Sequence, residues 1–285
     1  MKKILIQIDS DKIPSSFDSI TALDSGVDHI LSYGGVLPGE VYDIVYGAIS
    51  TRGEDELKNS AIFIGGSNVS VGEIMLKEAL ESFFENTRVS VMMDANGCNT
   101  TAAAAVRKIL SCGNIKSKKT TVLGGTGPVG MRAAGLLAKE GALVTITSRN
   151  LDKANDTCEL IGKRFGVEVS SACVNEIDEL EEVLKDSYAV LASGTYGVTM
   201  LPESSWKNNP SIKVLADVNA VPPLGIDGIK SHWSAKEKEG KLIFGAIGIG
   251  GLKMKVHREC ISQLFGQNDM VLDAEGIYDV ASKLN

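Results

Sequence analysis

Residues 120–130, Thr-Thr-Val-Leu-Gly-Gly-Thr-Gly-Pro-Val-Gly, hold the most chemically specific spacing in the chain. Gly125, Gly127 and Gly130 spell G-x-G-x-x-G, with Thr126, Pro128 and Val129 between them. Val122 and Leu123 end a short β-type run, and Met131 to Lys139 reads as a helix, which is the strand–turn–helix setting the motif requires. Gly125 permits the tight turn, Gly127 lets the backbone approach a pyrophosphate without a clashing Cβ, and Gly130 lets the helix sit close to the strand. Free N–H groups at the helix start then face the phosphate oxygens. The implied chemistry is dinucleotide binding, with a purely structural turn as the competing reading.

The next strand bears on which dinucleotide is bound. Leu143 to Thr147 is β-branched and is followed by Ser148, Arg149 and Asn150. A site for NAD usually ends this strand in Asp or Glu, which accepts from the ribose 2′-OH. A hydroxyl beside a guanidinium suits a 2′-phosphate instead, and a carboxylate would repel it. Lys153, one turn into the following helix, adds a second cation. A solvated basic helix start is the alternative. NADP is the expected cofactor.

Composition sets the bounds. At 285 residues the chain has room for two domains, each with its own core. No run approaches the ~20 apolar residues of a membrane span. The N-terminus has two lysines but too short an apolar stretch for a signal peptide, so it reads as a first strand. A net charge of −7 with 5% aromatic residues argues against a nucleic-acid surface. Cys98, Cys112, Cys158, Cys173 and Cys260 are odd in number and scattered, which suits reduced thiols in a cytoplasmic enzyme. His29, His232 and His257 are far apart in sequence, and no metal site is expected.

Strands and helices alternate along the whole chain, the pattern of parallel sheets covered by helices. In the first block, strands are expected near 3–9, 29–33, 61–65 and 89–94. Helices are expected over 16–22, 38–48 and 72–84, and an alanine-rich helix with Asn99 or Thr100 as N-cap runs to about 111. The polar segment 113–119 bridges to the second block. There the glycine loop is followed by a helix over 151–165, a short strand at 167–169 and an acidic helix over 178–185. Strands at 188–192 and 214–217 follow, then one at 242–244. The loops after the first two of these carry Ser193, Gly194, Asp217 and Asn219 to the carboxyl ends of strands, where ligands of such sheets sit. A glycine-rich segment at 245–251 precedes a helix over 252–265, and a last helix spans 273–284. These final helices are expected to return to the first domain. The division is therefore residues 1–112 joined by 252–285, and residues 113–251.

Five blocks in order resemble the NADP-dependent methylene-tetrahydromethanopterin and methylene-tetrahydrofolate dehydrogenases. They are Asp94-Ala-Asn96-Gly-Cys98-Asn99-Thr100-Thr101, Gly125 to Arg132, Ser148 to Lys153, Asp217 to Ile226, and Phe244 to Arg258. Cys98 stands where serine is expected in close relatives, a small change that touches the pterin side only. The resemblance runs nearly end to end. It implies an α/β pterin domain followed by a Rossmann-type domain for NADP, in which Ile247 and Gly248 join the cofactor contacts. The implied activity is reversible hydride transfer from the methylene bridge to NADP, giving the methenyl cation, in the one-carbon and formaldehyde metabolism of methylotrophs. Homo-oligomerisation is implied by the same analogy. The remaining readings are a reductase of the shikimate or glutamyl-tRNA reductase type, an added cyclohydrolase activity, and an NADPH-sensing module.

That chemistry explains why no acid–base triad is visible. The two nitrogens flanking the bridge carbon stabilise the cation left behind, so the protein mainly has to orient two rings. Asn96, Asn99, Thr100 and Thr101 are placed to hydrogen-bond the pterin, although helix capping would use the same groups. Lys253, at the start of its helix, is expected to orient substrate through a carbonyl or carboxylate rather than to act as a base. A free cation beside a forming cation would raise the barrier. Asp18 and Asp9 are candidates for the amino-pterin edge.

Overall fold

Apolar runs of four to six residues alternate with helices that bury one face, and a parallel sheet covered on both sides follows from that alternation. The computed structural model describes residues 1–284. The chain divides into two units, residues 1–100 with 254–285, and residues 101–253.

In the first unit five parallel strands lie in the order Val271–Leu272, Ser90–Met93, Ser60–Gly65, Ile4–Asp9, His29–Gly34. Ser60–Gly65 is buried along its whole length, as a central parallel strand must be. The register pairs Asp9 with Gly65 and Ile64 with Met93, so Asp9, Gly65 and the residues after Met93 share one carboxyl edge. Ser15 and Asn68 cap the helices Ser16–Asp24 and Val69–Glu81 by accepting from Asp18 N–H and Val71 N–H. The tail contributes a two-residue strand as well as the helix Ala274–Lys283, whose N-cap is Asp273. Two residues carry no readable period, so that strand was invisible in sequence.

The second unit holds seven strands in the order Lys236–Lys238, Lys241–Phe244, Val214–Asp217, Ala189–Ala192, Lys119–Leu123, Leu143–Ser148, Ser170–Cys173. All pairs are parallel except the edge hairpin Lys236–Lys238 with Lys241–Phe244. This is a Rossmann-type sheet, with Lys119–Leu123 central and the helix Pro128–Lys139 following it. Trp206, Leu191, Leu215 and Ile243 are fully buried in its core.

Two expectations need correction. The strand expected at 167–169 lies at Ser170–Cys173. Gly166 closes the preceding helix in the left-handed region (φ 65°), and the next residues only carry the chain to the sheet edge. The glycine-rich segment 245–251 is not a loop, because the helix runs from Ala246 to Gln263. The division between the two units falls within helix Cys98–Leu110, twelve residues before the expected 112. Among the described residues no helix is long and apolar enough to cross a membrane.

Candidate functional site

The glycine loop shows what each glycine does. The residue in the left-handed region is Gly124 (φ 67°), so the tight turn belongs to it and not to Gly125. Gly125 is required for another reason, since a Cβ there would lie 2.6 Å from Ile146 Cβ on the neighbouring strand. At Gly130 a Cβ would meet Ser193 Oγ at 2.5 Å and Gly125 Cα at 2.8 Å, so helix and loop touch through their backbones. Gly127 differs. It is the N-cap of Pro128–Lys139 with ordinary extended dihedrals (φ −81°, ψ 165°). A Cβ there would come no nearer to protein than 3.8 Å. Nothing in the fold forbids a side chain at Gly127, which leaves room for a ligand. Pro128 at the first helical position lacks an N–H, Val129 follows it in a first turn whose backbone donors have no intrahelical acceptor, and Thr126 lies just before the N-cap.

At the end of Leu143–Ser148 the three expected contact residues cluster. Ser148 Oγ accepts from Asn150 N–H (3.1 Å), and Asn150 Oδ1 caps the next helix by accepting from Lys153 N–H (2.9 Å). The side chains of Arg149 and Lys153 are exposed, and no carboxylate ends the strand. The Arg149 carbonyl accepts from the Cys173 thiol (3.5 Å), which pins the backbone beneath the guanidinium. These positions fit a doubly charged 2′-phosphate.

The loops after the two middle strands are arranged differently from expectation. Ser193 Oγ donates to Leu123 O (3.1 Å), and Gly194 packs its backbone on Gly124 and Met200. The Asp217 carboxylate is fully buried and accepts from Asn219 N–H (2.9 Å) and Ile226 N–H (3.0 Å). Asp217 therefore fixes the loop 219–226 and does not present its oxygens to a ligand, while the Asn219 amide is buried against Gly225. Ile247 and Gly248 donate their N–H groups to Ser231 O (2.8 and 3.3 Å), so their backbones hold the loop 231–233 to the helix start. A Cβ at Gly248 would overlap Trp233 O, and this packing outweighs the low helix propensity of the glycines. Only the exposed Ile247 side chain remains available for contact.

Burial pushes the Asp217 carboxyl up to about 6, against the three backbone N–H donors that favour its charge. The folded state thus binds this proton more tightly than the unfolded chain does. The contribution favours folding at the low end of the range and is lost as pH rises from about 4 through about 6. We expect the melting temperature of Asp217→Asn, relative to the parent, to rise between pH 4 and 6.5 and then level off. A relative melting temperature that falls over this range would mean that the N–H donors outweigh burial.

In the first unit the carboxyl edge is organised by Asp94, which opens the first of the five family-like blocks but was not among the expected binding residues. Its Oδ1 accepts from Asn99 N–H (2.9 Å) and Thr100 N–H (3.0 Å), and its Oδ2 from Thr100 Oγ1 (2.6 Å). Asp94, and not Asn99 or Thr100, therefore caps helix Cys98–Leu110. Asn99 donates to Met93 O (2.6 Å) and is fully buried, as is Thr100. Both side chains expected to bind substrate thus already have protein partners. Asp9 likewise accepts from Asp11 N–H and Ser15 N–H. Asn96 is exposed in the left-handed region (φ 52°), Thr101 is half-buried, and Asp18 keeps part of its side chain at the surface (16%). Lys253 is half-buried in the middle of its helix, not at its start, one turn ahead of His257.

Comparisons with known proteins bear on the family and the fold. A family model described as "Methylene-tetrahydromethanopterin dehydrogenase, N-terminal" matches residues 16–96. Bifunctional protein MdtA of Methylorubrum extorquens is 46% identical over 285 residues, spanning 99% of both chains. The NAD(P)-dependent methylenetetrahydromethanopterin dehydrogenase of the same organism is 28% identical, again over 99% of both. Among solved structures, quinate dehydrogenase from Corynebacterium glutamicum in complex with NAD superposes with a TM-score of 0.58 at 14% identity, covering 99% of each chain. That likeness concerns the fold alone. The full-length kinship goes further, and with it the chain belongs to the methylene-tetrahydromethanopterin dehydrogenase family.

Proposed function

We propose that this protein is an NADP-dependent dehydrogenase of methylene-tetrahydromethanopterin, yielding the methenyl cation. Methylene-tetrahydrofolate, which has the same N–CH2–N bridge, is its second substrate. Because such a bridge forms when formaldehyde condenses with two amines, the reaction belongs to one-carbon oxidation. The observation that carries the cofactor choice is the corner formed by half-buried Ser148 and exposed Arg149 and Lys153, with no carboxylate at the strand end. Family membership supports the pterin.

When bound, the nicotinamide supplies a hydride acceptor. The residues of the chain bind and orient. Gly127 leaves room for the pyrophosphate beside the first helical turn, and Gly130 keeps that turn close to the sheet. Arg149 and Lys153 neutralise the 2′-phosphate. Asp18, Asn96 and Thr101 bind the pterin, while Asn99 and Thr100 serve the helix start. Lys253 engages a carbonyl or carboxylate of the substrate. No proton leaves an oxygen in this reaction, so no general base is required.

The test is incubation with each methylene-pterin and each nicotinamide cofactor, following the methenyl absorbance. Methenyl formation is expected with both pterins, and with a clear advantage for NADP over NAD. Equal specificity constants for the two cofactors would reject the cofactor assignment. Methenyl absorbance that grows and then decays enzymatically would add a hydrolysis step.

A further inference from the structure

Within the first unit a histidine lies between two carboxylates. His257 Nε2 is 3.9 Å from Asp18 Oδ1, and Nδ1 is 4.0 Å from Asp94 Oδ2. The imidazole is almost wholly buried (side chain 1% exposed), Asp94 is sealed (0%), and only Asp18 reaches the surface (16%). Phe63 stacks on the imidazole (centroids 5.6 Å apart, planes 17° apart), and Phe17 packs at 6.1 Å, so the ring plane is held by apolar neighbours. Asp94 in turn is fixed by the three donors at the start of helix Cys98–Leu110. The order is thus an anchored carboxylate, a clamped imidazole and a surface carboxylate.

We propose that His257 is a positioning residue for the pterin. It holds Asp18 so that the carboxylate meets the donor edge of the aminopyrimidinone ring, with Asp94 as the fixed point behind. The inference rests on the proposed pterin substrate. A carboxylate that accepts two parallel N–H bonds must keep its plane, and a partner behind it removes that rotational freedom before binding. At nearly 4 Å the clamped ring bounds the space in which the carboxylate can turn. His257 touches neither substrate nor cofactor and acts through Asp18.

The experiment is a double-mutant cycle read as direct binding of the methenyl-pterin, with turnover measured separately. His257→Gln and Asp18→Asn are each expected to weaken pterin binding about tenfold, and the double variant also about tenfold instead of about a hundredfold. His257→Phe, which retains the packing on Phe63, is expected to match His257→Gln. In His257→Gln the pterin KM should rise while kcat at saturation and the NADP Kd stay within about twofold of the parent. Multiplying effects, unchanged pterin affinity, or rescue by phenylalanine would overturn the proposal. Pterin binding by the parent without turnover would sink the proposed reaction and leave the cycle readable. No pterin binding by the parent would overturn both.

Discussion

Gly127→Val is expected to weaken binding of NADP severely while leaving the melting temperature nearly unchanged. Valine tolerates the dihedrals of Gly127, and the nearest atoms to its Cβ would be Gly124 O and Ser193 O at 3.8 Å. The branched side chain instead fills the space beside the first helical turn, where a pyrophosphate must lie. A loss of at least about 100-fold in affinity is expected, about 2.8 kcal/mol. Gly130→Ala is the contrasting control. Its Cβ would sit 2.8 Å from Gly125 Cα and 2.5 Å from Ser193 Oγ, so backbone must move. That change should cost about 1–3 kcal/mol of stability. Calorimetric titration and thermal unfolding of both variants check the pair. Undiminished NADP affinity in Gly127→Val would remove the pyrophosphate from this loop.

Arg149→Ala should weaken NADP by about 10- to 150-fold while barely affecting NAD, because charge-assisted hydrogen bonds of roughly 1.5–3 kcal/mol go to a phosphate that NAD lacks. Its side chain is exposed, so solvent and salt act on the contact. The loss should therefore shrink at high ionic strength. Adding Ser148→Asp should push selectivity further toward NAD, since a carboxylate repels the phosphate and accepts from a ribose hydroxyl. Specificity constants with each cofactor, at low and high salt, measure the effect. Parallel losses with NAD and NADP would make Arg149 a structural residue.

Much of this was legible in the chain because local rules and fold agreed. The strands around the glycine loop follow from β-branched runs, and the corner at Ser148 and Arg149 follows from its place after one of them. What was not legible depended on contacts distant in sequence. The positive φ at Gly124 and the crowding of Gly125 by Ile146 exchange the roles that the motif spacing suggests. Helix Ala246–Gln263 begins in a run of glycines because Ser231 and Trp233 accept its first backbone donors. His257 looked isolated because Asp18, Phe63 and Asp94 reach it from three separate elements. One missed feature did have a local signal. Glu239 and Gly240 both take positive φ (51° and 68°), the pattern of a tight hairpin turn, and Glu-Gly between lysines joins Lys236–Lys238 to Lys241–Phe244.

The most direct measurement supplies the purified protein with NADP and methylene-tetrahydromethanopterin carrying two deuterium atoms on the bridge carbon. The cofactor product is then weighed by mass spectrometry while methenyl absorbance is recorded. Direct hydride transfer predicts NADPH carrying one deuterium, formed in equal amount to a methenyl product that retains the other. Unlabelled NADPH, or NADPH formed without the methenyl product, would contradict transfer from the bridge and with it the assignment of this chain's reaction.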